Sequence, residues 1–306
     1  MSIERRTLVK GAVFGLASAA ALPKLGLAQE GSGTTRRIPS SGEAIPAVGL
    51  GTWITFNVGN DPVLRKESAA VMAAFFEAGG GMIDSSPMYG SSQPVVGFGL
   101  ERLGYPETLF SADKVWTQSG ENGPDQIEQS RRYWGVPKFD LLQVHNLLGW
   151  ESHLGTLFDM KAAGTLRYVG ITTSHGRRHD LFEEIMRAQP LDFVQLTYNI
   201  ADREAERRLL PLARERGMAV IVNRPFQRGA LVDRLEGKPL PPWAGEIGIT
   251  SWAQFLLKFI LSHPAVTTAI PATSRVDHVL ENKRAAEGAI PDAALRKRMA
   301  EYVREL

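Results

Sequence analysis

Residues 67–85 read ESAAVMAAFFEAGGGMIDS. Ala70, Met72, Ala73 and Phe76 recur at helical spacing, Gly79, Gly80 and Gly81 stop the helix, and a short apolar run follows. This unit repeats along the chain. The strand-like runs are Val48–Trp53, Met82–Ser85, Leu109–Val115, Asp140–His145, Leu166–Thr172, Leu191–Tyr198, Met218–Asn223 and Val266–Pro271. Most are continuously apolar, as strands buried on both faces are. Helical patterns at Asp180–Ala188 and Arg203–Arg216 stand between them. Eight strand-then-helix units predict a single α/β domain, a (β/α)8 barrel of the TIM type. An open doubly wound sheet fits less well, because Gly49-x-Gly51-Thr52 lacks a third glycine and no helix follows it directly. The Pro- and Gly-rich stretch Arg224–Ile247 reads as a long loop at the C-terminal ends of the strands, a lid or pocket wall.

The chain has 306 residues, 43% of them hydrophobic, enough for one large core. Its first residues read as targeting rather than fold. Arg5-Arg6, then Leu8 and Lys10, an apolar run over residues 11–22, Lys24 and a small-residue site ending at Ala28 together resemble a bacterial twin-arginine signal peptide. The run is shorter than the roughly 20 residues of a membrane span. The expected organisation is a signal over 1–28, a linker over 29–47 and the barrel over 48–306. The resemblance implies the twin-arginine export machinery as a partner, a periplasmic or secreted location, and no stable membrane span after cleavage. The net charge of +2 falls to −1 without residues 1–28, so charge gives no reason to expect nucleic acid. The chain has no cysteine, which excludes disulfides and thiolate catalysis, and no metal site is expected from its six histidines. Oligomeric state is not legible.

Three apolar runs close on charged or polar residues: Asp84, Lys114 and His145, with Tyr89 five residues beyond Asp84. Such endings are costly unless they are paired or face a site. On consecutive barrel strands they converge at one mouth. Each residue alone reads more simply as a turn former, a satisfied core group or surface packing. The set, in order with Gly49-Leu50-Gly51-Thr52-Trp53, Phe139–His145, Gly164–Ile171, Gln195–Asn199 and Ile270-Pro271 followed by Glu281-Asn282, resembles the aldo-keto reductase family from about Val48 onward.

That resemblance implies a hydride exchanged between NADP(H) and a small carbonyl or alcohol. Tyr89 would act as general acid/base, Lys114 would favour its phenolate, Asp84 would hold the lysine, and His145 would orient the carbonyl. The implied cofactor-binding residues are Gly51, Thr52, Trp53, Thr172, Thr173, Gln195, Pro225, Phe226, Arg228, Gly229, Thr273, Ser274, Arg275, His278, Glu281 and Asn282. Hydroxyls and Arg275 at the adenosine end would suit a 2′-phosphate. Trp53, Met88, Trp116 and Trp150 are the expected substrate contacts, with Leu147 and Phe226 beside them. Two positions depart from the family pattern. Asn223 stands where an aromatic ring often stacks on the nicotinamide, and Ala272 stands where a lysine or glycine is common. Arg224 reads equally as an anion contact or as a partner of a carboxylate. The competing function is an exported nucleotide-binding or regulatory barrel without turnover.

Overall fold

The computed structural model describes residues 33–306; the expected signal over 1–28 lies outside the described residues. The chain enters through a hairpin, β1 (Thr35–Arg37) and β2 (Ala44–Pro46). Eight strands follow: β3 (Leu50–Gly51), β4 (Met82–Asp84), β5 (Phe110–Val115), β6 (Leu141–Val144), β7 (Tyr168–Thr172), β8 (Phe193–Thr197), β9 (Ala219–Asn223) and β10 (Thr268–Ala269). Each pairs in parallel with its sequence neighbour, and bridges Val48–Ala269 and Gly51–Ala272 join the two ends. The sheet therefore closes into the expected barrel. The helices are α1 (Pro62–Glu77), α2 (Ser92–Leu103), α3 (Gly123–Trp134), α4 (Trp150–Ala162), α5 (His179–Ala188), α6 (Leu209–Glu215), α7 (Ala230–Leu235), α8 (Trp252–Leu261), α9 (Val276–Arg284) and α10 (Ala293–Glu305).

The twofold alternation of strand side chains sorts the sequence into an inside and an outside. Met82, Phe110, Leu141, Tyr168, Phe193, Ala219 and Ile221 form one buried cluster. Ile83, Leu142, Val169, Val194 and Val220 belong to a second cluster that includes the helix side chains Val71, Phe75, Phe182 and Phe255. Within one strand the inward series is Phe110, Ala112, Lys114. The adjacent β6 runs Leu141, Gln143, and β8 runs Phe193, Gln195, Thr197. The barrel is thus apolar at its floor and polar at the C-terminal ends of its strands, where the site forms.

Two expectations are corrected. Residues 35–46 are a hairpin rather than part of a linker. Ile38 and Ile45 are fully buried against the floor cluster, which would otherwise expose Phe110, Tyr168 and Phe193. Arg167 links the hairpin's Glu43 to Asp140 beneath the barrel. Residues 224–247 are not featureless either. They carry α7, whose Leu231 and Leu235, one turn apart, are buried.

Helices α2 and α3 approach closely at Gly97, where an added Cβ would stand 1.8 Å from the Tyr133 carbonyl oxygen. Backbone cannot yield as a flexible side chain does. Gly97→Ala is therefore expected to destabilise by about 3 kcal/mol, near the top of the range for overpacking. Thermal denaturation checks this, and an unchanged midpoint would contradict it.

Candidate active site

Asp84 ends β4 and Lys114 sits on the inward face of β5, with side chains at most 2% exposed. Lys114 Nζ donates to Asp84 Oδ2 at 2.6 Å and to the Ser85 carbonyl at 2.7 Å. Asp84 Oδ1 accepts from Gln195 Nε2 at 2.8 Å and from Gln143 Nε2 at 3.4 Å. The buried carboxylate is thus fully partnered, and one ammonium proton of Lys114 is left over. Burial pulls the lysine pKa down, but Asp84 and Tyr89 outweigh it and the net shift is upward. Lys114 is therefore charged throughout the neutral range.

The 3-10 turn Pro87–Tyr89 follows, with Ser86 as its cap. It places the Tyr89 ring over Lys114, whose Nζ is 5.0 Å from the ring centroid. His145, just past β6, meets the same ring edge-on at 5.6 Å. The four residues of the sequence reading thus come together. Tyr89, His145 and Asp84 line a cavity of about 1020 Å³, and Lys114 lies behind them. Burial pushes the Tyr89 phenol up to about 12, and Lys114 opposes that rise without cancelling it. The sequence reading gave the lysine the upper hand. Without a bound cofactor, desolvation is the larger effect. Burial, reinforced by the Lys114 cation, holds His145 well below its ordinary value, so the imidazole is neutral.

Most of the expected cofactor positions line the same cavity: Gly51, Thr52, Trp53, Thr172, Gln195, Pro225, Phe226, Arg228, Gly229, Thr273, His278, Glu281 and Asn282. Three do not. Thr173 turns its hydroxyl to the Arg177 carbonyl at 2.5 Å. Ser274 lies outside the lining, and Arg275 lies outside it in an exposed pair with Asp277. Asn223 stands in the cavity wall, donating to the Thr173 carbonyl at 2.9 Å and accepting from Thr197 Oγ1 at 2.7 Å. It is a hydrogen-bonded post where a stacking ring was absent from the sequence. Ala272 also lines the cavity.

Among the substrate contacts, Trp53 and Met88 line the cavity, and Trp116, Leu147 and Trp150 do not. Trp116 follows the last residue of β5 and is pinned outward by two backbone bonds to Gln126 of α3. Leu147 is buried in the outer core, and Trp150 opens α4 and packs against that core. The sequence missed Ile54, His175 and Trp252 in the lining. Ile54 is 60% exposed with φ 67°, an unfavourable conformation for a β-branched residue, and neither property has a sequence signal. Lys238 and Leu240 make the expected wall, tied to α8 by the Trp252 Nε1 bond to the Lys238 carbonyl at 3.0 Å.

From the sequence, Arg224 reads equally as an anion contact or as a partner of a carboxylate. Among the described residues it forms no ion pair, and its Nη1 is buried with no hydrogen-bond partner. Burial and then Arg228 lower its pKa, and the Asp202 carboxylate opposes them. Arg228 lies 4.3 Å above the Trp53 ring. A buried guanidinium Nη1 without a partner in the cavity wall fits an anionic ligand. His175 and His179 stand four apart, but among the described residues no group of three metal-ligating side chains forms.

Residues 47–297 match the profile of the aldo/keto reductase family. The chain belongs to that family. It is 28% identical over 268 residues to methylglyoxal reductase YeaE of Escherichia coli, across 85% of this chain and 92% of that protein. It is 24% identical over 249 residues to the NADH-specific methylglyoxal reductase of the same organism, across 70% and 73% of the two chains. A crystal structure of a Klebsiella pneumoniae aldo/keto reductase with NADP and acetate superposes with a TM-score of 0.74 at 24% identity, covering 88% of this chain and 95% of that one.

Proposed function

We propose that this family member is an NADP(H)-dependent oxidoreductase acting on a small, largely apolar carbonyl or the corresponding alcohol. The observation that carries the reading is the convergence of Tyr89, Lys114, Asp84 and His145 at one large cavity. The cavity fits a dinucleotide. Its lining takes in Tyr89, Asp84 and His145 of that constellation together with Thr273, His278 and Asn282, and the unpaired Arg224 Nη1 with Arg228 offers phosphates two guanidinium groups. Thr172 and Gln195 would hold the carboxamide, and Glu281 and Asn282 the adenosine. A bound nicotinamide supplies or accepts the hydride. Tyr89 gives its proton to the developing alkoxide, Lys114 offsets part of the cost of the resulting phenolate, and His145 donates a hydrogen bond to the same oxygen. Trp53, Ile54, Met88 and Phe226 give the mouth an apolar lining.

Absorbance at the NADPH band, followed with a panel of small aldehydes and ketones, tests the reaction. Turnover of at least one carbonyl is expected. Nucleotide binding without turnover on any carbonyl or alcohol would favour the regulatory alternative.

The proposal extends to export through the twin-arginine route, supported by Arg5-Arg6, the apolar run over 11–22, Lys24 and the small-residue site ending at Ala28. That route carries folded proteins, so the cofactor would be loaded before export. Arg5→Lys with Arg6→Lys is expected to retain the protein in the cytoplasm in a fractionation assay. An unchanged distribution would contradict export by this route.

A further inference from the structure

The hydroxyl of Ser86 has no task in the chemistry above. Ser86 is fully buried, two residues beyond the end of β4. Its Oγ lies 2.8 Å from His145 Nδ1 and accepts a hydrogen bond from the Met88 N–H at 3.2 Å. A hydroxyl that already accepts still has one proton to place. Among the described residues, Nδ1 is the one acceptor recorded for it. Were the imidazole proton on Nδ1 instead, the serine oxygen would accept twice, its own proton would be stranded in a buried setting, and Nε2 would turn a lone pair toward the cavity. The protonation of one ring nitrogen is set by the bond the other makes.

We propose that Ser86 is a positioning residue that donates its hydroxyl proton to His145 Nδ1, holding the imidazole as the Nε2–H tautomer with that N–H directed to the substrate oxygen. His145 lines the cavity, and its Nε2 has no hydrogen bond to another described residue, so the donor is available. The wrong tautomer would set a lone pair against the carbonyl oxygen and its developing charge. The neutral state of the ring makes this choice matter, because an imidazolium would donate from both nitrogens. The same hydroxyl caps the turn that carries Tyr89, so one side chain places both the proton donor and the oxygen-binding donor.

This inference rests on the carbonyl-reduction reading for its purpose but not for its first measurement. Nitrogen-15 spectra of histidine-labelled protein, without cofactor, are expected to show His145 protonated on Nε2. Ser86→Ala is expected to move proton density toward Nδ1 and to lower kcat about five- to tenfold, the worth of one modest hydrogen bond, with KM for the nucleotide unchanged. Ser86→Thr retains the hydroxyl and is expected to retain the wild-type tautomer. In a His145→Gln background, removing the Ser86 hydroxyl is expected to cost clearly less kcat than in the wild type, the remainder being its cap on the Tyr89 turn. A loss of the same size there would assign the serine to capping the Tyr89 turn alone and overturn the proposal. So would a wild-type His145 protonated on Nδ1, or an unchanged spectrum in folded Ser86→Ala. An intact Nε2–H signal in a protein that turns over no carbonyl would instead defeat the proposed reaction and leave the tautomer assignment standing.

Discussion

Replacing Tyr89 by Phe is expected to lower kcat for carbonyl reduction by about 10²- to 10⁴-fold, the usual contribution of a positioned general acid, while nucleotide affinity is nearly unchanged. The substitution removes one oxygen from a ring that otherwise keeps its packing against His145 and Lys114. The pH dependence gives the same assignment a second signature. Burial lifts the phenol to about 12, so its proton stays in place well above the ordinary tyrosine value. Reduction, which uses the acid form, is expected to be flat between about pH 6 and pH 9. Alcohol oxidation needs the phenolate, whose fraction grows about tenfold per pH unit below the pKa, so oxidation is expected to rise across the same interval. His145 adds no inflection near its ordinary value, because its pKa lies well below that. Equal turnover by wild type and Tyr89→Phe would remove the phenol from the mechanism.

Lys114→Met is expected to destabilise the protein by about 3–5 kcal/mol and to abolish measurable turnover. The stability loss comes from Asp84, whose carboxylate would remain buried without the cation that faces it at 2.6 Å. The activity loss comes from the phenol, since Lys114 is the largest influence opposing burial at Tyr89. The two effects separate in the double variant Lys114→Met with Asp84→Asn. Removing both charges leaves no orphaned ion, so most of the stability should return, while turnover should not. Denaturant unfolding and steady-state rates on the three proteins check this. A double variant as unstable as Lys114→Met alone would show that the ion pair is not the source of the loss.

The strand endings explain how far the sequence could be read. Asp84 and Lys114 were legible as charged endings of apolar runs, which are costly unless paired or facing a site, and their pairing was implied by the family resemblance. The structure shows why it forms, because Lys114 stands four residues after Phe110 on the inward face of β5 and meets Asp84 at the end of the adjacent strand. Asp113, one residue away on the same strand, faces outward to Gln93 of α2 and belongs to helix packing instead. The errors fall where the backbone turns after a strand. Trp116 and Trp150 are large, apolar and close to strand ends in sequence, yet Gln126 and the α4 packing point them elsewhere. Thr173 leaves the wall because its hydroxyl finds the Arg177 carbonyl, while Asn223, held by the Thr173 carbonyl, lies in it. The Ser86 bond to His145 joins residues 59 positions apart and has no sequence periodicity to betray it. The hairpin over 35–46 was hidden by its short, mixed sequence, although Ile38 and Ile45 are among the most buried residues of the chain.

The central claim is that this constellation passes a hydride from a nicotinamide to a carbonyl carbon and a proton from Tyr89 to its oxygen. Mass spectrometry of the alcohol formed from the best carbonyl substrate with NADPH carrying deuterium at both C4 positions tests it most directly. The account predicts a product carrying one deuterium on the carbinol carbon, formed by wild type and lost with Tyr89→Phe. A product without deuterium, or one formed equally by the phenylalanine variant, would contradict it.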